Sequence, residues 1–213
     1  MSHLSFAVLG ARAEPYAAVP TVVLRLAVEA EGRPVDALML RTQVQIEPRR
    51  RHYSDGEERR LYDLFGEPDR WGDTLTSLFW AQLSTAMPGF RGQTELDLPL
   101  ACTYDFEVAS AKYFHGLEDG AVPLLLLFSG TIFRGGAGGL SVEQVPWDRE
   151  ARFELPVATW RSAMHAHFGD TAWIRVRRDT FDALHDFRGR AALPTWEATI
   201  ERLLHAATEG ERR

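Results

Sequence analysis

The sequence is poor in three things, and each absence removes a class of protein. It has one cysteine, Cys102, in 213 residues. A single thiol forms no intramolecular disulfide and no multi-cysteine zinc or iron–sulfur site, and it fits a reducing compartment, so a cytoplasmic location is expected. It has no long hydrophobic run. The longest, residues 121–128, falls far short of the roughly 20 residues a spanning helix needs and reads as a buried strand. No basic stretch followed by an apolar core opens the sequence, so no secretion signal is expected. It also lacks positive charge: 24 basic residues against 30 acidic ones give a net charge of −6. Neutralising phosphates takes clustered cations, so neither nucleic acid nor a membrane is expected as a partner. Lys112 is the only lysine, and so uniform a use of arginine reads as coding bias rather than a demand for guanidinium groups.

What is present points to a folded α+β protein. Hydrophobic residues make up 45% of the chain and aromatic residues 11%, enough for a substantial core without staples. Residues 4–11, 21–30 and 37–47 alternate or run apolar with β-branched enrichment, separated by turn-rich segments at Glu14-Pro15 and at residues 31–34. This pattern predicts an antiparallel β-meander. Ser54 and Glu57 have capping-box spacing ahead of a helix through about residue 65. Trp71, Leu75, Leu78, Phe79 and Leu83 fall at helical spacing before Pro88-Gly89, which predicts a second helix with one apolar face. Strands are then expected over 96–108, 122–133, 140–145 and 152–157, followed by helices over 159–168, 180–187 and 196–207, with an extended segment at 173–176. A loose tail is expected over 209–213.

The recurrence of strands followed by helices suggests an internal duplication. Phe6, Val8, Ala11 and Arg12 are matched by Phe106, Val108, Ala111 and Lys112, and Ala18-Val19-Pro20 by Ala121-Val122-Pro123. Trp71, Thr74, Leu75, Leu78 and Phe79 are matched in turn by Trp196, Thr199, Ile200, Leu203 and Leu204. The division this implies is 1–92 for a first β-meander with helices, 93–208 for a second, intimately packed on it, and 209–213 for the tail.

No linear motif carries chemistry. His165 and His167 sit two apart in a predicted helix, where they do not share a face, so no metal site is expected. Cys102 lies in an apolar strand, where a thiol is inert. The glycine-rich residues 135–139 lack the Lys-Ser/Thr of a phosphate loop and precede a strand, so they read as a hairpin tip. Acidic pairs such as Asp69/Asp73 sit at helix starts, where they complement the dipole. No catalytic residue and no cofactor are expected. Of the six tryptophans, Trp71, Trp173 and Trp196 are candidates for the core. Trp147, in a turn-like segment beside the glycine-rich hairpin, is the first candidate for a partner contact. Arg49, Arg50, Arg51 and His52 form a dense positive cluster and are the second.

Phe6-Ala-Val8, Val19-Pro20, the stretch from Arg49 to Tyr53, residues 106–133 and Leu193-Pro-Thr-Trp196 together resemble an uncharacterised bacterial family of about this length, known mainly from actinobacteria. Its genes often lie near those of nickel–iron hydrogenases and their maturation proteins, so the resemblance implies an accessory or assembly role and carries over no catalytic residue. Residues 22–28 and their neighbours also resemble the β-meander of SecB-type export chaperones, which implies a client-binding surface. The leading expectation is therefore a non-enzymatic binding or assembly factor with protein partners. An enzyme or small-ligand binder whose site forms only in three dimensions is the alternative, and an integral subunit of a larger complex is a third. Homo-oligomerisation is left open.

Overall fold

The architecture rests on one very long strand. β1 (Leu4–Ala13) leads into β2 (Thr21–Ile46), a strand of 26 residues in which the even-numbered side chains of both halves point inward. The computed structural model describes residues 4–103, 105, 108–136, 139–169, 171 and 174–211, and its fold is α+β. Residues 31–34 were expected to reverse the chain; instead β2 runs through them as a bend, with Gly32 at a φ of 85° and the register shifting between Ala30 and Val35. The bend lets β2 serve two sheets' worth of partners. Its first half pairs with β1 and its second with β4 (Ala121–Arg134), while β3 (Leu78–Ala101) pairs along the other edge of both halves. β5 (Ser141–Gln144) and β6 (Glu150–Pro156) follow one another along the far edge of β4. Every pairing is antiparallel.

This pairing explains why residues 78–88 are strand and not the expected helix. Their apolar spacing suits a helix, but the edge of β2 from Ala37 to Ile46 needs hydrogen-bond partners, and Leu78 to Pro88 supply them. Only α3 (Trp71–Thr74) remains of the predicted element. The sheet curls around a core in which Phe6 of β1 stacks on Phe128 of β4, centroids 4.1 Å apart. Leu24, Leu26, Leu38, Val44, Leu98, Leu100 and Leu126 are fully buried there. Each such side chain contributes about 1.5–3 kcal/mol of burial.

Between β2 and β3 the chain makes a helical excursion: α1 (Asp55–Arg60), α2 (Tyr62–Phe65) and α3. The capping box read from the sequence is formed, with Glu57 N–H donating to Ser54 Oγ and Ser54 N–H to the Glu57 carboxylate. α4 (Ala109–Gly116) and α5 (Val157–Phe168) pack on the sheet, joined by the stacked rings of Phe114 and Trp160.

The chain divides into two units, Met1–Ala172 and Trp173–Arg213. The expected boundary at residue 92 falls inside β3. Segments matched in the proposed duplication differ in structure. Phe6 to Arg12 lie in β1, whereas Ala111 and Lys112 lie in α4 and Phe106 is outside the described residues. Trp71 to Phe79 pass from a helical turn into β3, whereas Trp196 to Leu204 are helix throughout. Only the segments after Pro20 and Pro123 are strand in both. The second unit holds α6 (Arg178–Arg190) and α7 (Trp196–Glu211), so the expected tail is helical to Glu211. Their turn is closed by Arg188, which donates to the Leu193 and Pro194 carbonyls and lies over the Trp196 ring. Ile174 to Arg177 carry no strand pairing, and Trp173 lies outside the described residues.

Candidate partner-binding surface

On the outward face of the second half of β2, Ala37 and Met39 are apolar where a solvated sheet face would carry polar side chains, and Arg41, Gln43 and Gln45 beyond them are polar. Register places Pro88, Ala37, Phe133 and Val142 in one row across β3, β2, β4 and β5, and Ala86, Met39, Thr131 and Gln144 in the next. Met39 is 49% exposed and Val142 56%. Leu140, just before β5, is also exposed. Close approach of β4 to β2 in these rows depends on Gly130, whose φ is 152° and where an added Cβ would lie 2.1 Å from the Met39 carbonyl oxygen.

Trp147 stands beside these rows for a reason visible in the register. Opposite β4, residue numbers on β5 and the paired residue sum to a constant that changes by two on passing to β6. Pro146, Trp147 and Asp148 thus stand opposite the single Ser129 and loop out, closed by Arg149 N–H donating to the Pro146 carbonyl (3.2 Å). Trp147 is the apex and is 93% exposed.

The basic cluster is dispersed by the fold. Arg51 turns inward, its side chain 9% exposed, to pair with Glu57 and donate to the Ala121 carbonyl. Arg49 donates to the Gly72 carbonyl, Arg50 lies 3.7 Å from Glu47, and His52 is exposed. The cluster follows the end of β2 at Ile46, whereas Val142 lies level with Ala37, about 30 Å away along the strand. These residues and Trp147 therefore do not form one patch. Sequence reasoning passed over Met39, Phe133 and Val142. The available signal was Ala37-Leu38-Met39-Leu40, apolar in both phases of a strand and therefore apolar on both faces.

Two concavities lie elsewhere on the first unit. A cleft of about 250 Å³ between α4 and α5 is lined by Phe114, His115, Trp160, Met164 and His165, smaller than ligand sites usually are. Burial pushes the His115 imidazole below its ordinary pKa. His167 is engaged through Nε2 with the Ala17 carbonyl and through Nδ1 with that of Ala163. Among the described residues no three His, Cys, Asp or Glu side chains gather as a metal site. The open groove over β1, β2 and β3 is lined by Arg12, Arg25, Glu95 and Asp97, whose charges pair across it. Burial raises the Cys102 thiol to about 12. Among the described residues no helix is long and apolar enough to cross a membrane.

Fold and surface define an α+β protein with a curled antiparallel sheet, an apolar patch on its outer face and, among the described residues, an open edge at β5. The chain belongs to a family of unknown function (DUF6084), whose model matches residues 1–212. No curated protein matches it. The solution structure of a late embryogenesis abundant (LEA) protein is similar at 10% identity and a TM-score of 0.34, over 73% of this chain and 71% of that one. A β-glucosidase from Kluyveromyces marxianus (7% identity, TM-score 0.26) and β-glucosidase 3B from Thermotoga neapolitana (11%, 0.28) are each similar over 72% of this chain. The matched part is 15% and 17% of those enzymes. TM-scores this low give these likenesses no weight for fold or function.

Proposed function

We propose that this protein is a non-enzymatic binding or assembly factor that acts in the cytoplasm and takes a protein partner on the outer sheet face around β5 and Trp147. The observation that supports this reading is the apolar row of Pro88, Ala37, Phe133 and Val142 across β3, β2, β4 and β5, with Ala86 and exposed Met39 in the next, left open near exposed Trp147. Large apolar patches on a soluble protein mark interaction sites, and a Trp at such a site is a frequent anchor. The accessory role implied by the family resemblance makes hydrogenase subunits and their maturation proteins the first partners to seek. Affinity capture of the tagged protein from its native cells, with mass spectrometry, tests the reading. Specific partners should be enriched by the parent chain and lost with Trp147→Ala and with Met39→Asp; capture unaffected by both variants would remove the outer face from consideration.

A further inference from the structure

Val145 N–H donates to the Gly130 carbonyl (2.9 Å), and the register continues through Gln144 opposite Thr131 and Val142 opposite Phe133. Hydrogen-bonded and non-hydrogen-bonded pairs alternate in an antiparallel ladder. Ser141, Glu143 and Val145 therefore turn their amides and carbonyls toward β4, and Val142 and Gln144 turn theirs away from it. Among the described residues β5 pairs with β4 alone. β5, Ser-Val-Glu-Gln, holds no lysine and no proline; its guards are its four-residue length and Glu143, a charge opposite buried Ile132 that a basic residue on an added strand would meet. The apolar row through Phe133 ends at this edge in Val142, so a further strand would extend it. The Pro146 to Asp148 loop marks where such a strand must stop.

Charge indicates what the strand carries on its other face. Glu143 alternates with Val142 and Gln144, and its side chain is 37% exposed; among the described residues its carboxylate meets Arg134 at 3.6 Å. Asp148 is exposed on the adjacent loop, with Arg149 3.5 Å away. We infer that β5 accepts an added strand from a partner protein, an extended segment alternating apolar residues, which continue the row through Val142, with basic residues, which face Glu143 and Asp148. This rests on the partner-binding reading above and specifies its chemistry as strand addition.

The test uses the full chain and a fluorescein-labelled eight-residue peptide alternating valine and lysine, followed by fluorescence anisotropy. The controls are a peptide of the same composition in two blocks and one alternating valine and glutamate. The alternating valine–lysine peptide should bind at least tenfold more tightly than either control. Val142→Pro and Gln144→Pro each remove an outward amide while leaving the inward ones to β4, and should weaken binding at least tenfold. Val142→Thr keeps the amide and should stay within about threefold of the parent. Circular dichroism identifies any variant that has failed to fold. Equal affinity for alternating and block peptides, or binding unchanged in both folded proline variants, overturns strand addition. Concentration-dependent dimerisation abolished by Val142→Pro also overturns it, by assigning the edge to a second copy of this chain. If cellular capture depends on Trp147 and Met39 but ignores Val142→Pro, strand addition fails while the outer-face reading survives; if it ignores all three, both fail.

Discussion

Glu57 is buried, 3% exposed, and held by three donors. It accepts from Arg51 Nη2, from the Glu118 amide at 2.8 Å and from the Ser54 amide at 3.1 Å, tying α1 to the end of β2 and to the start of β4. Removing one partner of a buried pair leaves the other charge without compensation. Glu57→Ala should therefore cost about 3–5 kcal/mol in urea denaturation, against about 1 kcal/mol for Ser54→Ala, which loses a single cap bond. Equal losses would show that Arg51 finds another partner. His115 sets a pH dependence. Burial lowers its folded pKa below the unfolded value, so the unfolded chain binds the proton more readily. Its contribution is complete above the unfolded pKa, about 6.5, and is lost as pH falls from there through the folded pKa. Denaturation midpoints measured from pH 7.5 to 5 should fall less steeply for His115→Gln than for the parent chain; identical slopes would contradict this.

At the scale of elements, short-range signals were readable and long-range ones were not. The Ser54–Glu57 cap, α5 and β4 follow from local spacing and stand where the sequence put them. The bend in β2 and the strand character of residues 78–88 do not, because both are imposed by pairing between residues far apart in the chain. A glycine-containing turn segment and a bend read alike until a continuous partner such as β3 is known. The candidate surface was half legible: Trp147 was singled out from its turn-like neighbours, but the rows beside it exist only once β2, β4 and β5 are in register. Gly130 holds those rows together, and Gly130→Ala combines an unfavourable φ with a clash against the Met39 backbone. It should destabilise the fold by at least about 1–3 kcal/mol, read as a lowered melting temperature. A melting temperature equal to that of the parent would mean that β4 shifts freely away from β2.

At the scale of the whole molecule, the apparent repeat illustrates how residue types recur without recurring structure. An aromatic residue followed by apolar ones at spacings of three and four serves a strand at Phe79 and a helix at Leu204, since context decides which period is used. The chain's organisation is instead a curled sheet with helices packed on it, and a separate unit holding α6 and α7. The first unit places an apolar patch of the outer face, the β5 edge and Trp147 next to one another in the register. Hydrogen–deuterium exchange of the chain, alone and with its captured partner, tests most directly whether the partner docks there. New protection is expected at Ala37 to Met39 and Leu140 to Trp147, with the amides of Val142 and Gln144 slowed most. Protection confined to Arg49 to His52, or to α6 and α7, with the outer sheet unchanged, would contradict it.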